Sequence, residues 1–288
     1  ILMAAARDAV THFLEAAARA KLDVVGMTVE PLAIVNCFGH IYRRKSDADT
    51  TNCFIDIGAS GTRAIIARGQ QVLFARSIAV GGDHFTRAVA GGMGLSNIEA
   101  KLLRLQVATL SPAQNERAER QEITQAPAAP QDEGFALLGA GMAAAERREE
   151  RPVKGAATAV AAPAVATEPD DVRAELAEQA RRVMAACREP LDKLVEELDL
   201  CRRYYEATFP NKPVDRLIFI GGEARQRQLC QYIACQMGLA AQVGDPLVRM
   251  GRTSEVSIES GIDRRLPQPG WTVPIGLSLE SVTEKAKA

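Results

Sequence analysis

At 288 residues, 47% hydrophobic and with a formal net charge of −1, the chain carries enough apolar material for one large domain or two ordinary ones. That balance excludes a global basic field for nucleic acid or an anionic membrane. No apolar run reaches the roughly 18–20 residues of a membrane span, and no charged-then-apolar leader opens the chain. Six cysteines (Cys37, Cys53, Cys187, Cys201, Cys230, Cys235) fall mostly in apolar or helical stretches without CxxC pairs or histidine spacing for zinc. They read as reduced, buried thiols of a cytosolic protein.

The chain opens on Ile1 rather than Met, inside an expected strand at 1–6, so an upstream segment is expected. A helix at 8–20 with apolar Val10, Phe13, Leu14 and Ala17, then a strand at 23–29, complete an expected β-α-β unit. Pro31 in a first turn starts a helix through Leu32, Ile34, Val35 and Phe38, and the charged residues 43–49 read as a loop. Strands are expected at 52–57, 62–67 and 71–79 as two successive hairpins, followed by helices at 84–90 and after Ser96. From about 111 to 170, Ala, Pro, Glu, Gln and Arg dominate, which predicts a mobile insertion with one helical stretch at 134–150.

Beyond it, Leu176, Ala180, Val183, Cys187, Leu191, Leu194, Leu198, Cys201 and Tyr205 recur at three-four spacing, the stripe of a long helix that Pro190 kinks or divides. A strand at 217–220, a Gly221-Gly222 turn, a helix at 224–238, a short strand at 241–243 and an apolar closing segment from Trp271 complete the chain, with Trp271 expected to pack that segment.

Three short motifs carry the chemistry. Asp56-Ile-Gly58-Ala59-Ser60-Gly61-Thr62 joins two strands, and its glycines leave backbone N–H groups uncovered for phosphate oxygens, with the Thr62 hydroxyl beside them. Asp56 in such a turn would hold Mg²⁺, usually through ordered water. Glu30, ahead of Pro31, would orient an attacking water or the metal's hydration shell. Gly221-Gly222 lets backbone approach an adenine or ribose without a Cβ in the way. Each has a plainer alternative: a turn cap for Asp56, a helix-dipole charge for Glu30, and a tight strand-to-helix connection for the double glycine.

The order E-P-x-A, D-I-G-x-S-x-T, V-G-G-D-x-x-T and strand-G-G-x-A-R resembles the actin-like ATPase superfamily. Within it, "DVVGMTVEPLAIVNCF", "CFIDIGASGTRAIIARGQQVLFARSIAVGGDHFTRAVA" and "LDLCRRYYEATFPNKPVDRLIFIGGEARQRQL" are similar to the PilM-type proteins of type IV pilus assembly, themselves related to FtsA. The resemblance implies an α/β actin-like fold with ribonuclease-H-like subdomains, mixed sheets flanked by helices. In it, 1–50 would be the remainder of the first half, 51–110 the second half with the phosphate hairpin, 111–170 an insertion, and 171–288 the long helix and adenosine-side loop.

By that resemblance Asp56 to Thr62 form the second phosphate loop, Glu30 lies near metal and water, and Gly221, Gly222, Glu223 and Arg225 belong to the adenosine-side loop. The first phosphate loop is expected upstream of residue 1. Where relatives read Gly-Gly-Gly this chain has Glu223, and in "NIEAKLLRLQ" Lys101 replaces an acid of the ribose-contacting pattern and Arg104 its lysine.

The implied function is a cytoplasmic ATP- and Mg²⁺-binding scaffold, at most a weak ATPase, attached peripherally to the inner membrane by the tail of a PilN-like partner and meeting other pilus assembly proteins. A related type II secretion platform is the other setting the resemblance allows. The alternatives are an interaction module that has lost nucleotide and, from another class, a small-molecule kinase of the same fold. Nucleic acid is not an expected partner, and the polar ending "ESVTEKAKA" lacks the apolar face of a membrane-inserting helix.

Overall fold

The computed structural model describes residues 4–39, 49–109, 170–248, 250 and 266–279. The chain divides into two units, 1–109 with 178–288, and 110–177. Of the expected loop at 43–49 all but Asp49, and of the expected insertion at 111–170 all but Asp170, lie outside the described residues, as does the helix expected at 134–150.

Five strands form one sheet in the order β3-β2-β1-β4-β5: β1 (Thr51–Ile57), β2 (Thr62–Arg68), β3 (Gln71–Ile78), β4 (Arg216–Ile220) and β5 (Ala240–Val243). The hairpin pairs are antiparallel, whereas β4 joins β1 in parallel and β5 joins β4 in parallel. A parallel neighbour requires a crossover, and the chain between β3 and β4 supplies it. The central strand β1 is buried along its whole length. Its odd residues Cys53, Ile55 and Ile57 enter one apolar layer, while Phe54 enters the layer on the other face.

The helices are α1 (Arg7–Arg19), α2 (Glu30–Gly39), α3 (Gly82–Met93), α4 (Asn97–Thr109), α5 (Asp170–Ala186), α6 (Arg188–Thr208), α7 (Arg227–Met237) and α8 (Thr272–Leu279). The first layer joins β1 to Phe85 and Val89 of α3, Leu191, Leu194, Leu198, Cys201 and Tyr205 of α6, and Leu229 and Ile233 of α7. The second is built by Ile34, Val35, Cys37 and Phe38 of α2, with Val273 and Ile275 of α8 beside it. Phe38 stacks on Phe54 at 5.3 Å.

Several local expectations are met for identifiable reasons. Ser96 caps α4 in a reciprocal box: the Glu99 amide donates to Ser96 Oγ, and the Ser96 amide donates to Glu99 Oε2. The long helix divides at Cys187, as α5 ends at Ala186 and α6 begins at Arg188. Pro190 has no N–H to return to the Ala186 carbonyl, which breaks the ladder at that point.

Other expectations need correction. Residues 4–6 and 22–29 form no strand; among the described residues no neighbouring strand is paired with them, and β-branched composition alone satisfies no ladder. Leu22, Val25 and Met27 stay exposed, and α1 buries none of its residues. The helix expected from 224 begins instead as a 3₁₀ turn over Gly222–Arg225 before α7. Trp271 is 43% exposed, because the inward side of its turn is taken by Pro269 and Thr272. All six cysteines are free, and all but Cys235 are buried. Burial pushes the thiols of Cys37, Cys53 and Cys230 up to about 12, which makes them packing groups rather than nucleophiles.

Candidate functional site

The site gathers at the C-terminal ends of β1 and β4. Alternation along β1 puts Asp56 on the face of Phe54, the face that α2 covers. The first residue of α2 is Glu30, so the helix that packs on Phe54 brings its N-terminal carboxylate to Asp56. The tight turn after Ile57 fixes the register Ile57↔Thr62, which sets Arg63 directly opposite Asp56. Directly opposed residues share a face. The guanidinium of Arg63 consequently meets both acids, its Nε standing 2.7 Å from Glu30 Oε2 as an ion pair and its Nη1 donating to Asp56 Oδ2 at 3.3 Å.

The phosphate-type turn is held by its carbonyls. The Gly82 amide donates to the Gly58 carbonyl at 2.9 Å, and the Asp83 amide donates to the Ala59 carbonyl at 2.8 Å, so the N-terminus of α3 is seated on the turn. With those carbonyls engaged, the amides of Ala59, Ser60 and Gly61 pair with no carbonyl among the described residues. Ala59 and Ser60 are exposed. The approach depends on Gly81, where a Cβ would stand 2.5 Å from the Gly61 nitrogen and 2.7 Å from two turn carbonyls. Thr62, expected to offer its hydroxyl to phosphate, is buried and donates that hydroxyl to the Val80 carbonyl at 2.7 Å, tying the hairpin to the segment before α3.

The third wall is the loop after β4. Ile220 lies beside Asp56 in the parallel register, and Gly221 turns away with φ at +89°. A Cβ there would fall 2.4 Å from Asp56 Oδ1. Gly222 opens onto free space. Glu223 does not point outward: its carboxylate accepts from Arg104 Nη2 and from Gln226 Nε2. Arg104 is buried on α4, with Nη1 donating to the Gly82 carbonyl at 2.9 Å and to Thr86 Oγ1 at 2.8 Å.

Two of the three residues that depart from the superfamily pattern, Arg104 and Glu223, are thus partners. Lys101 is not with them; it lines a groove of about 410 Å³ between α3 and α4 with Asp83, Arg87, Ile98, Leu102 and Leu105. Arg225 is held by Gln268, whose Oε1 accepts from Nη2 at 2.9 Å. Sequence reasoning missed Arg63, although counting residues outward from the turn places it across from Asp56.

Burial raises both the Glu30 and the Asp56 carboxyls above the ordinary carboxylate value, the positive Arg63 pulling against it. The two acids are both engaged by a cation of the chain itself. One oxygen of each is taken by a guanidinium, Asp56 Oδ1 lies against Gly221, and among the described residues no cluster of three or more metal-ligating side chains exists. The Mg²⁺ expected at Asp56 would meet Arg63 there.

A sheet of order 3-2-1-4-5 with this turn and strand-Gly-Gly loop defines the chain as an actin-like ATPase fold. The family described as "Cell division protein FtsA" matches residues 53–257, and the chain belongs to that family. A solved structure described as "PilM-PilN type IV pilus biogenesis complex" is similar at 19% identity and a TM-score of 0.60, covering 96% of this chain and 59% of that one. The ethanolamine utilization protein EutJ from Carboxydothermus hydrogenoformans is similar at 14% identity and a TM-score of 0.52, covering 96% of this chain and 62% of its own. The chain thus spans about three fifths of the length of these structures. MreB5 of Spiroplasma citri bound to ADP is similar at 12% identity and a TM-score of 0.49, covering 96% of this chain and 65% of its own. No curated protein matches. No helix among the described residues is long and apolar enough to cross a membrane.

Proposed function

We propose that this chain is an ATP-binding scaffold of a type IV pilus, or related type II secretion, inner-membrane assembly platform, docking the cytoplasmic tail of a PilN-like membrane protein. The observation that carries the nucleotide part is the turn at 58–61: its carbonyls are engaged by α3 and its amides are left uncovered beside the Gly221 loop. Uncovered consecutive amides in a tight turn are an anion-binding concavity. Support for the partner comes from the fold shared with the PilM-PilN complex. The location that follows is cytoplasmic, at the inner membrane through that partner.

Kinase chemistry is a poorer fit. A kinase needs a carboxylate free to take the substrate hydroxyl's proton, whereas Glu30 and Asp56 are both paired with Arg63. A second reading, a docking module without nucleotide, is favoured by one observation: the Arg104–Glu223 pair ties α4 to the adenosine-side loop. The partner assignment is tested by fluorescence anisotropy of a labelled peptide carrying the PilN-like tail, titrated with the full-length gene product. Saturable binding is expected. A flat titration at high protein concentration would remove PilN-like proteins as the partner.

A further inference from the structure

On the nucleotide reading above, we propose that the Arg63 guanidinium is the resident cation of this site, and that it receives polyphosphate oxygens in place of a divalent metal. A guanidinium has five N–H donors in a planar fork. Nε is ion-paired with Glu30, and one Nη1–H donates to Asp56. The second Nη1–H and both Nη2–H donors have no hydrogen-bond acceptor among the described residues. The side chain is 40% exposed, so these donors are reachable.

The placement is built by the fold rather than by a flexible side chain finding a random partner. Asp56 and Arg63 are register partners on neighbouring strands, and the turn between those strands carries the amides of Ala59, Ser60 and Gly61, which pair with no carbonyl among the described residues. The two acids hold the guanidinium at Nε and Nη1 and leave Nη2 without a hydrogen-bond acceptor among the described residues. Planar, bidentate recognition of phosphate is what a guanidinium does best, and it keeps its charge at every physiological pH. A magnesium ion would demand carboxylate or water oxygens at about 2.0–2.1 Å in octahedral geometry. Its entry here would bring a second cation against the Arg63 guanidinium.

The consequence is nucleotide binding that is indifferent to metal. The test is calorimetric titration of ATP into the full-length gene product, with excess magnesium or with excess EDTA, for the wild type and for Arg63→Ala. Wild-type affinity is expected to agree within about threefold between the two conditions. Arg63→Ala is expected to weaken ATP binding in EDTA by about tenfold or more, as removing a charge-assisted bidentate contact does, and to regain affinity when magnesium is added. Wild-type affinity that collapses in EDTA would overturn the metal-free site while leaving nucleotide binding intact. Equal affinities of the two proteins in EDTA would overturn it as well. No heat from the wild type in either buffer would overturn both this inference and the nucleotide reading. The wild-type comparison depends on no variant folding.

Discussion

Arg104→Ala is expected to destabilise the fold by about 3–5 kcal/mol, the cost of removing one member of a buried ion pair. Arg104 is 2% exposed and joins three elements: its Nη1 serves the Gly82 carbonyl and Thr86 Oγ1 on α3, its Nη2 serves Glu223 before α7, and its guanidinium lies 5.5 Å from the Phe85 ring centroid. Truncation leaves the Glu223 carboxylate without its cation and the Gly82 carbonyl without the guanidinium donor, and opens a void in the layer under α3. For a chain of this size that cost corresponds to a fall in Tm of roughly 10 °C, read by thermal unfolding. Glu223→Gln, which keeps a hydrogen-bonding group of the same shape, is expected to lose less. A double-mutant cycle of the two should show strong coupling, since the residues share one contact. A drop below about 1 kcal/mol for Arg104→Ala would mean that the pair is a surface contact and α4 is held by something else.

The second large effect is expected at Gly221, and it carries its own control. At φ +89° and ψ 176° the backbone occupies a region essentially reserved for glycine. The missing Cβ would stand 2.4 Å from Asp56 Oδ1 and 2.6 Å from the Ile57 carbonyl oxygen. Gly221→Ala should therefore cost about 2–5 kcal/mol from strain and overlap together, and it should displace the Asp56 carboxylate that orients Arg63. At the adjacent Gly222 nothing lies within 4 Å of the added carbon, so Gly222→Ala is expected to change stability by less than about 1 kcal/mol. Urea unfolding of the two variants checks the difference. Equal costs at both positions would contradict the close packing of this loop on Asp56.

Much of this was legible from residue order alone, where local signals were strong and mutually consistent. The two hairpins between 51 and 78, the Ser96 cap and the break near Pro190 each have a one-step physical cause in the sequence. The charge relations of the site were less accessible. Reading Arg63 as a site residue requires the register of a hairpin, and that register depends on how tightly the 58–61 turn closes. The fate of Glu223 depends on a residue 119 positions away on another helix; each departure looked like a separate loss until the fold brought the two together. The strand expected at 23–29 fails for a related reason, since a strand needs an edge to pair with and composition does not provide one.

Asp56 shows how a single position changes meaning with its surroundings. In sequence it is a metal-type acid at the tip of an apolar strand. In the fold it is buried, faces Arg63 across the ladder at 3.3 Å and lies against Gly221.

The measurement that tests the central claim most directly is thermal unfolding of the full-length gene product with and without saturating ATP. Ligand at about 100 times its dissociation constant stabilises by about 2.7 kcal/mol, a rise in Tm of roughly 5–10 °C for a chain of this size. An ATP-binding scaffold predicts that rise, and its loss in Gly221→Ala. An unchanged Tm at saturating ATP would contradict it and leave a docking module whose Arg104–Glu223 pair has closed the nucleotide site.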